Sequence, residues 1–323
     1  MKPKQGLFQL TPVLALAALW AAGLPAAQTD TDLGSQAAPF LTWPADARTA
    51  AMGQAGVASA DDVNADDLNP AGLAEVGGEQ FSLNEALLFQ GTSLENAAAA
   101  IGVFPGAALG LDVTYLNTGT VDASTYNPAT GGIVASGSFN PYYYSVGLSY
   151  AQDLFSSLNL GVSLKSVGED IDNATASTVA FDLGGQYDLA DLTSLEGLRL
   201  GSSVQNFGPQ LAGADLPTIW RTGLSYQFPF FDLRNTLLLN GDFQVPVLAA
   251  WGQTTFSAGA ELRYGRFLSL RVGYQTGDYG GVTGLTGITA GAGFGMNWWQ
   301  VDYAWVPEGD LGLADQFSFS AKF

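Results

Sequence analysis

The sequence predicts an all-β chain: a single-chain transmembrane antiparallel β-barrel of about 14 strands, preceded by an N-terminal hatch or plug segment. Three observations lead there. From about Phe81 to the end, apolar and polar residues alternate with period two, in segments of roughly 10 residues, the length of a tilted strand that crosses a bilayer. Charged residues make up only 13% of the chain, against roughly 25% in soluble domains, so much of the surface lacks the usual charge. Past the N-terminus no run of about 18 apolar residues occurs, which disfavours crossing by helices.

The elements follow in order. Residues 1–27 read as a signal peptide: Lys2 and Lys4, an apolar run from Pro12 to Leu24, then small residues around Ala26, Ala27 and Gln28. Residues 28–78 do not alternate, are rich in Ala, Asp and Pro, and form a separate segment, read as the hatch. Residues 79–323 form the barrel. Within it Val179, Phe181, Leu183, Tyr187 and Leu189 oppose Asp182, Gly184, Gln186 and Asp188. Leu268, Leu270, Val272 and Tyr274 oppose Ser269, Arg271, Gly273 and Gln275 in the same way. An even strand count closes an antiparallel ring with both ends on the periplasmic side. Turns at Phe104-Pro105-Gly106, Tyr264-Gly265-Arg266 and Met296-Asn297 are short, whereas Thr118–Gly137, Phe207–Leu216 and Val306–Ala314 are long. That asymmetry matches short periplasmic turns and long external loops. Aromatics gather near segment ends, as at Tyr142–Tyr144, Phe228–Phe231 and Trp298-Trp299, where amphipathic rings suit the headgroup level.

Charge placement points to function by exclusion. Lys165, Asp182, Asp188, Arg199, Arg221, Asp242, Glu261, Arg263, Arg271 and Asp302 fall on the polar sides of their strands. On the lipid side each Arg or Lys would cost about 2–4 kcal/mol at the midplane, so all ten are expected to face the lumen. Mutual ion pairing that braces the barrel is the preferred role, with substrate contact as the other. The chain has no His and no Cys. Imidazole-based hydrolysis, imidazole or thiolate metal sites, disulfides and an anchor on an N-terminal Cys are therefore excluded. Asp61, Asp62, Asn64, Asp66 and Asp67 have partly calcium-loop-like spacing but lack the Gly and the terminal Glu, so they read as a solvated hatch surface. Gly291, Gly293 and Gly295 imitate a nucleotide fingerprint without a surrounding βαβ unit and read as alternate strand positions. The formal net charge is −19, and it becomes more negative if Lys2 and Lys4 leave with the signal peptide. Such a surface repels nucleic acid. No enzyme activity, cofactor or metal is expected.

Several short motifs, in order, carry a family resemblance. Asp46-Ala47-Arg48, Met52 through Ala58, Asp61-Asp62 and Asn69 through Leu73 come first. Asn206-Phe207-Gly208-Pro209, Leu216-Pro217, Gly259-Ala260-Glu261, Leu270 through Tyr274, Asp302-Tyr303-Ala304 and Gly309 through Gly312 follow. Together they resemble outer-membrane proteins of the PorV/PorQ family, themselves similar to FadL barrels; residues 115–175 resemble nothing. The resemblance implies the outer membrane of a diderm bacterium and places Asn69, Pro70 and Gly72 in a hatch inside the barrel. Read alone, Asn69-Pro70 is a turn initiator and Gly72 a residue free to adopt positive φ. The ending, with Phe317, Phe319 and the terminal Phe323 on one face, is similar to the signal read by barrel-assembly machinery. PorV-like action in protein secretion or surface attachment is the leading expectation, with secretion or surface-layer proteins as partners beside outer-membrane lipid. FadL-like uptake of hydrophobic molecules is the alternative. It calls for an apolar pocket between hatch and barrel and a lateral opening, for which Asn140-Pro141 is a candidate cause. A structural envelope protein touching a surface layer is the third.

Overall fold

The computed structural model describes residues 36–323 except 156, 231, 248–252 and 278–281. The expected signal peptide and the first part of the expected hatch, residues 28–35, lie outside the described residues.

Fourteen strands close into one antiparallel barrel. In chain order they are β1 (Glu79–Leu87), β2 (Ser93–Phe104), β3 (Ala107–Asn117), β6 (Tyr142–Asp153), β7 (Leu158–Ile171), β8 (Ala174–Asp188) and β9 (Leu198–Phe207). The ring continues with β10 (Ile219–Phe230), β11 (Asp232–Pro246), β12 (Thr255–Tyr264), β13 (Leu268–Gln275), β14 (Ile288–Gly295), β15 (Trp299–Pro307) and β16 (Leu313–Lys322). Pairing of β1 with both β2 and β16 closes it, through registers such as Leu83 to Ala97 and Leu83 to Phe319. Among the described residues no helix is long and apolar enough to cross a membrane.

The period-two pattern sorts the faces as chain sterics require. Leu83, Leu111, Leu148, Val162, Leu183, Leu224, Leu270 and Val272 all point outward and are exposed, while their neighbours Ser82, Ser149, Ser163, Asp182, Ser225 and Arg271 are buried. An apolar outside on a closed ring leaves no unpaired edge and suits lipid, so the chain is an outer-membrane barrel. At the periplasmic end, Phe323 and Glu79 exchange backbone hydrogen bonds. Outside them, Phe81, Phe319, Trp298 and Phe323 form a ring cluster that covers Ala321.

Three details differ from the sequence reading. The turn asymmetry has two exceptions: β7 and β8 join outside through Asp172-Asn173 alone, and β8 and β9 join inside through nine residues carrying a short helix, α2 (Ala190–Thr193). At the outer end length moved into strands, since β7 and β8 run 14 and 15 residues and β8 extends beyond its pairing with β9. The external segment after β3, expected as a loop, forms a separate hairpin of β4 (Val121–Asn127) and β5 (Gly132–Phe139) paired only to each other. Asn140-Pro141 then falls between β5 and β6, not within a strand. The β3–β6 and β6–β7 ladders run without a register shift, so no lateral opening arises at this site.

Candidate functional site

The interior is built around residues 36–78. A five-residue helix, α1 (Ala47–Ala51), starts at Asp46, whose Oδ1 accepts from Thr49 N at 3.0 Å and whose Oδ2 accepts from Thr49 Oγ1 at 2.7 Å. This capping satisfies an orphan amide of a helix too short to persist alone. From there the chain touches inward side chains around the ring. Ala47 N donates to Ser318 Oγ on β16 at 2.8 Å, and Thr289 Oγ1 on β14 donates to Ala51 O at 3.0 Å. Asp242 Oδ2 on β11 accepts from the amides of both Gly56 and Val57, at 2.6 and 2.8 Å. Gln186 Nε2 on β8 donates to Ala60 O at 2.9 Å, and Ser203 Oγ on β9 to Leu68 O at 2.7 Å. The segment is thus hydrogen-bonded to side chains of β8, β9, β11, β14 and β16.

Inward glycines make room for this chain. A Cβ at Gly273 would sit 2.1 Å from Gly53 N, and one at Gly161 would sit 2.3 Å from the Pro70 carbonyl carbon. Asn69 is fully buried; its Nδ2 donates to Val57 O at 2.8 Å and Gly185 O at 3.0 Å, while Oδ1 accepts from Ala71 N at 3.1 Å. It thus opens the 3-10 turn Pro70–Glu75 and ties it to β8. Gly72 does not have positive φ; its constraint is space, because a Cβ would lie 2.3 Å from Ala60 O.

The structure brings some of the ten charged residues together and leaves others apart. Glu261 accepts from Arg271 Nε at 2.9 Å, from Arg48 Nε at 3.0 Å and from Arg263, and Arg271 Nη1 reaches Asp302 Oδ1 at 2.5 Å. Arg271 and Asp302 lie on β13 and β15, with β14 between them. Gly293 on β14 permits the contact, since a Cβ there would lie 2.1 Å from Asp302 Oδ1. Lys165 pairs with Asp182 at 2.6 Å, and Asn206 N donates to Asp182 Oδ1 at 2.7 Å. Arg221 Nε donates to Gln205 Oε1 at 2.9 Å. Arg199 instead meets Glu75 at 3.3 Å near the periplasmic end, and Asp188 Oδ1 accepts from Ala190 N at 2.8 Å.

The acidic run 61–67 is not a solvated surface. Asp61 and Asp62 bind Arg48 at 2.6 and 3.3 Å, Asp67 Oδ2 accepts from Ala45 N at 3.0 Å, and Asp66 is buried beside Ser149. The side chains diverge, and among the described residues no three acidic groups converge to hold a metal. Burial, with Asp62 next in weight, pushes the Asp46 carboxyl up to about 7, and burial pushes Asp67 up to about 6. Burial also acts to raise Asp61, but Arg48 and Arg263 outweigh it and hold that group at about 2.

Between this segment and the wall formed by β1, β2 and β13–β16 lies a chamber of about 320 Å³. Its walls are Trp43, Pro44 and Ala50 from the segment and Ala86, Leu94, Val306 and Ala314 from the strands, with Leu88, Phe89 and Leu311 from the loops. Gln54, Gln275, Thr289, Gln316 and Glu308 supply the polar atoms. Sequence patterning could not find this site, because Trp43 and Gln54 belong to the non-alternating segment and Leu88, Phe89 and Glu308 to loops. The only sequence signal is the small inward residues Ala86 and Ala314, which leave space where a larger side chain would fill it.

No protein-family profile and no curated protein matches the sequence, so the resemblance to PorV/PorQ proteins gains no support. Solved structures do match. The deltaS2S3 mutant of the TodX monoaromatic hydrocarbon channel is 12% identical, with a TM-score of 0.63 over 86% of this chain and 99% of that one. The Ralstonia pickettii toluene transporter TbuX is 15% identical, with a TM-score of 0.59 over 86% and 98%. A Pseudomonas aeruginosa FadL homologue is 13% identical, with a TM-score of 0.50 over 86% and 98%. At these identities the likeness is one of fold: the chain has the barrel architecture of FadL-type outer-membrane channels.

Proposed function

We propose that this protein is a non-enzymatic, FadL-like passive uptake channel for hydrophobic small molecules, with residues 36–78 acting as its plug. The chamber between segment and wall carries this reading. Pockets for small ligands are typically about 300–1,000 Å³ and mainly apolar with a few polar groups, and this one has that size and lining. The neighbours named as hydrocarbon and toluene carriers support the same direction. The secretion and surface-layer readings have no comparable feature behind them. Barrel-assembly machinery reading Phe323, and lipid around the apolar belt, remain the expected partners.

The test is to fill the chamber. Ala86→Trp and Ala314→Trp each place a large ring in it from a buried small residue. Uptake of toluene into cells that carry the variant as their sole such channel should fall on the order of tenfold, the scale of losing one well-fitted apolar contact surface. Uptake equal to that of the unaltered protein, with both variants inserted and heat-modifiable, would remove the chamber from the route.

A further inference from the structure

We propose that the chamber selects neutral apolar molecules over carboxylate-bearing ones, and that Glu308 is the residue that sets this preference. The inference rests on the uptake reading above and names the substrate class.

Charge in the lining carries it. Among the described residues around the chamber, Glu308 alone is ionisable, and no Lys or Arg lines it. An amphiphile with a carboxylate would have to bury that group without a cation to pair it, which is costly in a mostly apolar site. A carboxylate in the lining adds like-charge repulsion to that cost. Arg221 is the basic group that comes nearest through the hydrogen bonds: its Nη2 donates to Gln54 Oε1 at 3.5 Å. It is itself buried and outside the lining, so a ligand meets the Gln54 amide in its place.

The loop geometry holds Glu308 in position. Its backbone N donates to Gly312 O at 3.0 Å, which closes the β15–β16 loop on itself. Gly309 N donates to Leu285 O at 3.0 Å and Asp310 N to Thr283 O at 2.9 Å, which fasten that loop to the one after β13. Among the described residues no cation lies within ion-pair distance of Glu308. Burial pushes its carboxyl up from the ordinary range, as partial enclosure by an apolar site requires. The second acid of the loop, Asp310, faces Thr283 outside the lining, so the β15–β16 loop carries two acids and no base.

Size sets the other limit. A cavity of about 150 Å³ lined by apolar residues holds benzene, so about 320 Å³ accommodates a molecule of two fused or linked rings, or an alkyl chain of comparable bulk.

The experiment uses two photoreactive probes of nearly equal shape, benzophenone and 4-benzoylbenzoate, on the full chain in detergent, with labelled peptides mapped by mass spectrometry. Benzophenone should label peptides carrying Trp43, Leu88 or Val306, and 4-benzoylbenzoate should label them weakly. Glu308→Gln should raise the ratio of anionic to neutral labelling there by on the order of tenfold, the scale of one like-charge contact across roughly 10 Å at an effective dielectric constant near 20. Glu308→Lys should raise it further. Comparing ratios between variants cancels the unequal partition of the two probes into micelles, and heat-modifiability checks that each variant is folded. A ratio that neither substitution moves would overturn the selectivity while leaving the chamber as the site. Absence of benzophenone from those peptides would overturn the uptake reading and the selectivity with it.

Discussion

At the scale of single residues, the decisive fact is which side of the strand a side chain takes. Leu270 is exposed on the outer surface, and Arg271 beside it is buried with Glu261 and Asp302. Leu270→Arg should therefore cost about 2–4 kcal/mol near the midplane, read as a lowered midpoint of urea unfolding from lipid vesicles. A loss no larger than that of a Leu270→Ala control would move this position out of the lipid-facing band. Glu261 is the centre of the inner network, fully buried and shared by three arginines. Glu261→Gln leaves buried cations short of their counter-charge and should cost about 3–5 kcal/mol by the same measurement. An unchanged midpoint would mean that Asp302 and the acids at 61 and 62 suffice.

At the scale of elements, the N-terminal segment is the piece with a separable role. If it plugs the pore, deleting residues 36–78 should raise single-channel conductance in planar bilayers, and unchanged conductance would place it outside the conducting path. Its docking should also depend on pH. Asp46 and Asp67 have folded values of about 7 and about 6, above the ordinary 3.8. The folded form then binds more protons than the unfolded form between about pH 4 and 7, so their contribution is fully present below that window and is lost as pH rises through it. Asp61, held at about 2, acts only below the window and with opposite sign. Protection of the segment from a non-specific protease should accordingly be greater at pH 5 than at pH 8; equal protection would contradict the burial of these carboxyls. The last strand makes its own prediction. Phe323 closes the backbone pairing with Glu79 and stacks on Phe81, so its deletion should lower the amount of heat-modifiable barrel in the outer membrane.

At the scale of the whole molecule, the barrel is a ring whose stability is spread over its ladders, and the β4–β5 hairpin stands apart from it. Thr118 N and Oγ1 both donate to Pro141 O, at 3.3 and 2.9 Å, so the base of the hairpin is already closed below it. Replacing residues 121–139 with a short Gly-rich turn should leave the unfolding midpoint within about 1 kcal/mol, because surface loops are cheap to shorten. A larger loss would show that the hairpin braces the ring.

The alternation of residues determined by itself the fold class, a count of about fourteen strands and the lipid-facing side, because period two is a local property of extended chain. Leu268 to Gln275 can be sorted into two faces without knowing any neighbour. Local pattern does not report what meets across space. Arg271 reaching Asp302 over Gly293, Asn69 tied to Gly185, and the acids at 61–67 turned inward to Arg48, Ala45 and Ser149 all depend on partners more than ten residues away. The hairpin at 121–139 is not legible as strand because its alternation is short and carries no buried face. The chamber was least legible of all: it is a space left between Trp43, Ala86 and Val306, and an unfilled volume has no residue of its own. It exists only once a non-periodic segment has been packed inside the ring, a step governed by long-range hydrogen bonds and by the glycines that let two backbones approach.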